Sequence, residues 1–412
     1  MSDTAKRPYP RVTVTPKGEK SARAGHPWVY DTEVTALSGE ICDGAPADVY
    51  SAKGRYLGTG FYNSHSKLRV RIVTRNASDR PETDAFWERR VRYAVDYRRT
   101  VMGADFASCR LIFGEADGFP GLTVDRFGQA LSVQCLSLGI AGHKEAILRA
   151  LVAYLRALGE EITAVYECSD SAILRLEGME PHVGYLSGDG LGELSDGRVD
   201  ITENGIVYGV DLAGGQKTGF FLDQKYNRLA AARLAPGKRV LDCFTYVGTF
   251  ALNAAKAGAA HVTAVDISQA AVDAARVNAQ RNGLSEKVDF VCADVFDYLG
   301  ALEREGRREF DYIILDPPAF TKSASTVKNA QRGYLEINRT AMRLLPRGGY
   351  LATCSCSHFM TDTLFRHMLH DAAAEAGVSL RQIEGRKQSP DHPILWNVPE
   401  TEYLKFYLFQ VV

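Results

Sequence analysis

The chain lacks any run of about eighteen apolar residues, the length a helix needs to cross a bilayer. Its opening residues, Met1-Ser2-Asp3-Thr4-Ala5-Lys6, hold no apolar signal core. Both absences point to a soluble, cytoplasmic protein. No Cys-x-x-Cys occurs, and eight cysteines scattered over 412 residues do not make a disulfide scaffold. Most read as reduced core residues, as at Cys135, Cys168 and Cys292. His367 and His370 share a helix face with no third ligand nearby, so no metal is expected. Excess charge is missing as well. The chain carries 49 Lys and Arg against 50 Asp and Glu, so it is no polycation as a whole. The balance is uneven, however: residues 1–110 hold 19 basic against 13 acidic side chains, a modest pointer to a polyanionic partner.

What is present divides into three segments. Residues 1–76 carry short strand patterns, such as Tyr56–Tyr62 and Leu68–Val73, with a turn at Ser51–Gly54, and suit a small β-barrel. Residues 77–194 mix helix and strand. A first helix shows an apolar stripe through Phe86, Val91, Ala94 and Val95, with Asp84 as its candidate cap. Leu122–Val133 reads as a hairpin, and Lys144–Leu158 as a helix ended by Gly159. From 195 to 412 strands and helices alternate. The strands are Arg239–Cys243, His261–Asp266, Val288–Cys292, Asp311–Leu315, Gly349–Cys354, Leu380–Ile383 and Tyr403–Val411. Apolar strands separated by helices predict an α/β, doubly wound, Rossmann-like sheet of seven strands.

Ligands bind such sheets where a strand gives way to the next helix. The run Val240–Phe250 makes that passage without the full Gly-x-Gly-x-x-Gly of dinucleotide sites; only Gly248 stands at the turn. Fewer glycines leave less room for a pyrophosphate, which favours S-adenosylmethionine over NAD. Asp242, Phe244, Thr245 and Gly248 are therefore candidate cofactor residues. Asp266, with Ile267, ends the second strand, where a carboxylate can accept from two ribose hydroxyls. Asp294, with Val295, follows the third strand and offers an acid to the adenine amino group and an apolar edge to its ring. Upstream, a glycine-rich run leads into Lys217, Phe220, Asp223 and Gln224, candidates for covering the methionine part.

Asp316-Pro317-Pro318-Ala319-Phe320 ends the fourth strand and is the candidate target site, with Asp316 also bordering the cofactor. The prolines remove two N–H donors and leave carbonyls free to accept from a base amino group. Asp316 can accept from an exocyclic amine or from N3–H, and Phe320 can stack on an extruded base. This run alone indicates a planar nitrogenous substrate. Cys356, in Thr353-Cys354-Ser355-Cys356-Ser357-His358, narrows the choice. Methylating cytosine at C5 requires a thiolate to add at C6 first, whereas methylating an amino nitrogen requires no thiol. Cys354 and Cys356 also fit a pair of small residues closing a buried strand.

Several strings together resemble the bacterial ribosomal RNA large-subunit methyltransferase I family nearly end to end. They are Lys17–Ser21, Gly25–Tyr30, Gly118–Asp125, Lys217–Gln224, Leu315–Pro318 and Ser355–Ser357. The resemblance implies an N-terminal PUA domain, a central α+β domain and a class I methyltransferase domain. It further implies S-adenosylmethionine as donor and a cytosine of 23S ribosomal RNA, naked or in an assembly intermediate, as target. A homodimer is compatible with it; a membrane is not expected. It assigns the thiol role to Cys356. One departure stands out: other cytosine methyltransferase families carry a second Cys in the Asp-Pro motif, where this chain has Pro318. Two other readings remain open, a guanine or other amino-nitrogen RNA methyltransferase with Cys356 idle, and a non-catalytic RNA-binding assembly factor.

Overall fold

A computed structural model describes residues 7–215, 218–321 and 323–412. Lys217 lies outside them. The chain forms two compact units, and it passes between them more than once. The first unit takes residues through Ile201, then Val210–Phe220 and Pro390–Thr401; the second takes Thr202–Gly209, Phe221–Ser389 and Glu402–Val412.

The first unit contains two sheets. One has six strands within residues 11–74, all antiparallel pairs except Arg11–Val14 against Pro46–Ser51. Alternation of apolar residues places Val12, Val14, Val29, Val49 and Val70 in its core, each fully buried. A short helix, Pro16–Arg23, was not legible in the sequence. Thr15 caps it through a bond from Gly18 N, and Pro16 occupies its first turn. The other sheet has five strands within 108–185 and includes the expected hairpin, Leu122–Phe127 with Ala130–Cys135. The helix Asp84–Met102 starts at Asp84 instead of being capped by it; Thr83 holds the cap position without a side-chain bond. Arg71 of the first sheet makes a two-pronged pair with Glu177, at 2.8 and 2.7 Å, and Asn63 and Ser66 donate to the same carboxylate. This buried knot joins the two parts into one unit.

The second unit carries the predicted seven-stranded sheet. Its strands are β1 (Arg239–Cys243), β2 (His261–Asp266), β3 (Val288–Cys292), β4 (Tyr312–Leu315), β5 (Tyr350–Ser355), β6 (Leu380–Arg386) and β7 (Lys405–Val411). Their spatial order is β3-β2-β1-β4-β5-β7-β6, parallel except that β7 runs antiparallel to both neighbours. The helices are α1 (Lys225–Ala232), α2 (Thr249–Lys256), α3 (Gln269–Arg281), α4 (Val295–Arg304), α5 (Val327–Leu344) and α6 (Asp362–Ala376). Ser268 and Thr361 cap α3 and α6 by accepting from Ala271 N and Leu364 N. β1 and β4 lie side by side with the strand order reversing outward from them, so their carboxyl ends frame a switch-point crevice.

Candidate active site

At the end of β1 the backbone turns through left-handed conformations that L-residues avoid. Phe244 has φ 63°, Tyr246 φ 51° and Gly248 φ 83°. Only one of the three is glycine, so the turn stores strain of the kind found at ligand sites. Asp242 holds it. This fully buried residue accepts from Thr245 Oγ1 at 2.5 Å and from Ala251 N at 2.9 Å through Oδ2. Its Oδ1 is buried with no partner among the described residues. Burial pushes the carboxyl up to about 7, and Asp316 and Asp266 add to the effect.

Asp266, ending β2, accepts from Tyr246 N and Ser268 N, each at 2.9 Å, one on each oxygen. Each oxygen keeps a second lone pair for a hydroxyl donor. The Ile267 side chain beside it is 68% exposed, an apolar group left facing outward. Asp294 caps α4, with Oδ1 taking Phe296 N at 2.8 Å and Asp297 N at 3.3 Å. Val295 is packed into the core at 2% exposure, and the partly buried Phe296 packs against the same core.

Asp316 follows β4. Gln224 Nε2 donates to it at 2.9 Å, and Asn227 Nδ2 in turn donates to Gln224 Oε1 at 2.7 Å. Burial raises the Asp316 carboxyl to about 6, against the opposing pull of the Arg228 guanidinium, and Asp223 adds to the rise. Asp223 accepts from the Tyr403 hydroxyl at 2.6 Å. Phe221 meets Tyr246 edge-on at 5.3 Å between ring centres. Phe220 belongs to the first unit, where it is buried. Asp242 and Asp316, with Asp266 and Asp223 adding negative charge beside them, make an anionic cradle, and the unpaired Asp242 oxygen makes it incomplete. A ligand bearing a sulfonium and an ammonium fits that deficit, so the residues present suit S-adenosylmethionine.

At the target run, Pro317 is buried and Pro318 exposed. The Phe320 ring packs against Tyr334 at 4.6 Å, Phe296 at 5.9 Å and Phe244 at 6.4 Å. The two thiols part company here. Cys354 lies inside β5, fully buried, and hydrogen-bonds the Asp316 carboxyl; burial holds it far above the ordinary thiol range. Cys356 lies just past the strand end, partly exposed, with Sγ 3.9 Å from the Pro317 carbonyl oxygen. Parallel pairing of β4 with β5 is what brings the two motifs together. His358 is exposed beside Phe359. Sequence reasoning missed Asn227, Tyr334, Tyr403 and Lys405, because each reaches the site from an element with no motif of its own.

A family model described as S-adenosylmethionine-dependent methyltransferase matches residues 135–410, and a PUA-like model matches residues 12–75. The ribosomal RNA large subunit methyltransferase I of Klebsiella pneumoniae (strain 342) is 40% identical over 98% of this chain and 99% of the relative. The chain belongs to that methyltransferase family. The Salmonella arizonae relative of the same name is 39% identical over the full length of both chains. A Streptococcus mutans chain assigned as a SAM-dependent methyltransferase superposes with a TM-score of 0.81 at 22% identity, covering 97% of this chain and all of the other. A second chain, solved with SAH, gives 0.82 at 21% identity over the same shares. These two likenesses establish the fold. The protein is thus an S-adenosylmethionine-dependent methyltransferase with a PUA-like N-terminal domain.

Proposed function

We propose that the protein methylates C5 of a cytosine in 23S ribosomal RNA through a transient bond between Cys356 and C6 of the base. The observation that carries this reading is the placement of a partly exposed thiol 3.9 Å from the Pro317 carbonyl of the Asp-Pro-Pro run. The relatives' names supply the substrate class, large-subunit ribosomal RNA. The basic surplus in residues 1–110 fits phosphate contacts.

The cofactor supplies an electrophilic methyl group. The Cys356 thiolate adds to C6, and the displaced ring electrons pass toward N3. Asp316, raised to about 6, can hold a proton at that nitrogen during the addition. C5 then acts as the nucleophile and takes the methyl. Loss of the C5 proton to a base returns the electrons, and the sulfur leaves as thiolate. Lys217, Phe220, Asp223, Gln224, Asp242, Phe244, Thr245, Gly248, Asp266, Ile267, Asp294 and Val295 are assigned to the cofactor, and Pro317, Pro318 and Phe320 to the base.

The test is a 23S RNA fragment carrying 5-fluorocytosine at the modified site. Fluorine cannot leave as a cation, so the protein becomes trapped on the RNA, and Cys356→Ala abolishes both trapping and turnover. Unchanged turnover by Cys356→Ala would instead support methylation of an amino nitrogen. Absence of cofactor binding in calorimetry would support a non-catalytic assembly factor. Bisulfite sequencing of ribosomal RNA from a deletion strain identifies the base and its position together.

A further inference from the structure

Cys356 is gripped through both of its chain neighbours. The hydroxyls of Ser355 and Ser357 each meet the Tyr334 hydroxyl of α5, at 3.0 and 3.1 Å. Lys405, the first residue of β7, pairs in register with Ser355. Its Nζ reaches along to donate to the Ser357 carbonyl at 2.7 Å and to the Tyr403 carbonyl at 2.8 Å. The ammonium therefore bonds the carbonyl of the residue that follows Cys356, and Lys405 is only 3% exposed. No carboxylate among the described residues pairs with it. A buried cation held only by carbonyls is costly unless an anion completes its surroundings.

We propose that the Cys356 thiolate is that anion: the Lys405 charge stabilises it, both before attack and when sulfur is expelled. The proposal rests on the reading of Cys356 as the attacking group. Burial lowers Lys405 to about 8, and negative charge on Cys356 is the foremost influence in the opposite direction. Asp362 also favours the charged ammonium, and Lys387 opposes it. Tyr334 and Cys354, two other titratable groups near the thiol, contribute no anion at neutral pH. Burial pushes Tyr334 up to about 12 and Cys354 far above the ordinary thiol range, while Asp316, which precedes Pro317, already serves Gln224 and Cys354. The ammonium is present below about pH 8 and fades above it, so the thiolate is favoured most where a free thiol would still be protonated.

The test measures iodoacetamide alkylation of Cys356 in the full chain from pH 5 to 10, with peptide mapping to separate it from the exposed Cys42 and Cys292. Lys405→Met removes the charge, Lys405→Gln removes it while keeping a donor for the carbonyls, and Lys405→Arg restores a charge that does not titrate. Cofactor binding by calorimetry verifies that each variant is folded. The expected result is about a tenfold slower alkylation at pH 7 in the Met and Gln variants, with recovery in the Arg variant. Superimposable profiles for wild type and the neutral variants would overturn the proposal. If neither neutral variant folds, the wild-type profile decides alone. Thiolate appearing below the ordinary value of about 8.5 supports it, and appearance at or above that value refutes it. The readout does not depend on methyl transfer, so an idle Cys356 would be exposed separately by the turnover of Cys356→Ala.

Discussion

Gln224 donates its side-chain amide to the Asp316 carboxylate at 2.9 Å, and the contact ties the entrance of α1 to the end of β4. The bond favours the ionised carboxyl and works against the burial that raises it to about 6. Gln224→Met removes this support. The Asp316 proton is then retained to higher pH, and the limb of the kcat profile that belongs to it moves upward. A net loss of about 1 kcal/mol, a few-fold in rate, is expected at neutral pH. Rates measured between pH 5 and 9 check it; an unmoved limb would remove Asp316 from the proton-holding role.

Asp242 titrates at about 7 in the folded protein, above its ordinary carboxylate value. A raised acid binds its proton more tightly when folded, so cofactor-free stability from this group grows as pH falls from about 7 toward 4. Affinity for a cationic cofactor runs the other way, weakening as the carboxylates of Asp242 and then Asp316 protonate. Calorimetric titration of S-adenosylmethionine at pH 5.5 and 8 should show this loss. Asp242→Asn should bind about tenfold more weakly at pH 8 while melting no lower without cofactor.

Gly248 stands at φ 83°, and an added Cβ would lie 3.2 Å from Ala275 Cβ. Gly248→Ala should cost about 1–2 kcal/mol of stability and more in cofactor affinity, because the turn must shift to relieve both strain and contact. Denaturant melts with and without the cofactor separate the two effects.

Glu177 is 2% exposed and receives Arg71, Asn63 and Ser66. Glu177→Leu leaves a buried guanidinium unpaired and should destabilise the first unit by about 3–5 kcal/mol. Chemical denaturation followed by tryptophan fluorescence would register it, since Trp28 and Trp87 belong to that unit.

Legibility followed the physical scale of each signal. The seven strands stood out because a sheet covered on both faces demands continuous apolar runs, and their observed limits differ from expectation by a residue or two, except that β6 continues to Arg386. The left-handed turn was hidden, because Phe244 and Tyr246 adopt conformations that their side chains do not advertise. Lys405 was hidden for a different reason. Its strand lies about fifty residues from the thiol in sequence, and only the antiparallel insertion of β7 beside β5 makes them neighbours. The Pro16–Arg23 helix was masked by Gly18, a poor helix former at a crowded position, where an added Cβ would lie 3.2 Å from the Cβ atoms of Glu33 and Val14.

The chain crosses between its two units after Ile201, Gly209, Phe220, Ser389 and Thr401. A single protease nick therefore cannot release either unit whole, and no single junction in the gene separates them. Exchange of the first unit by simple fusion would leave one unit missing a stretch of its own backbone. Recombining either whole unit with another protein requires cuts at several of these crossings at once.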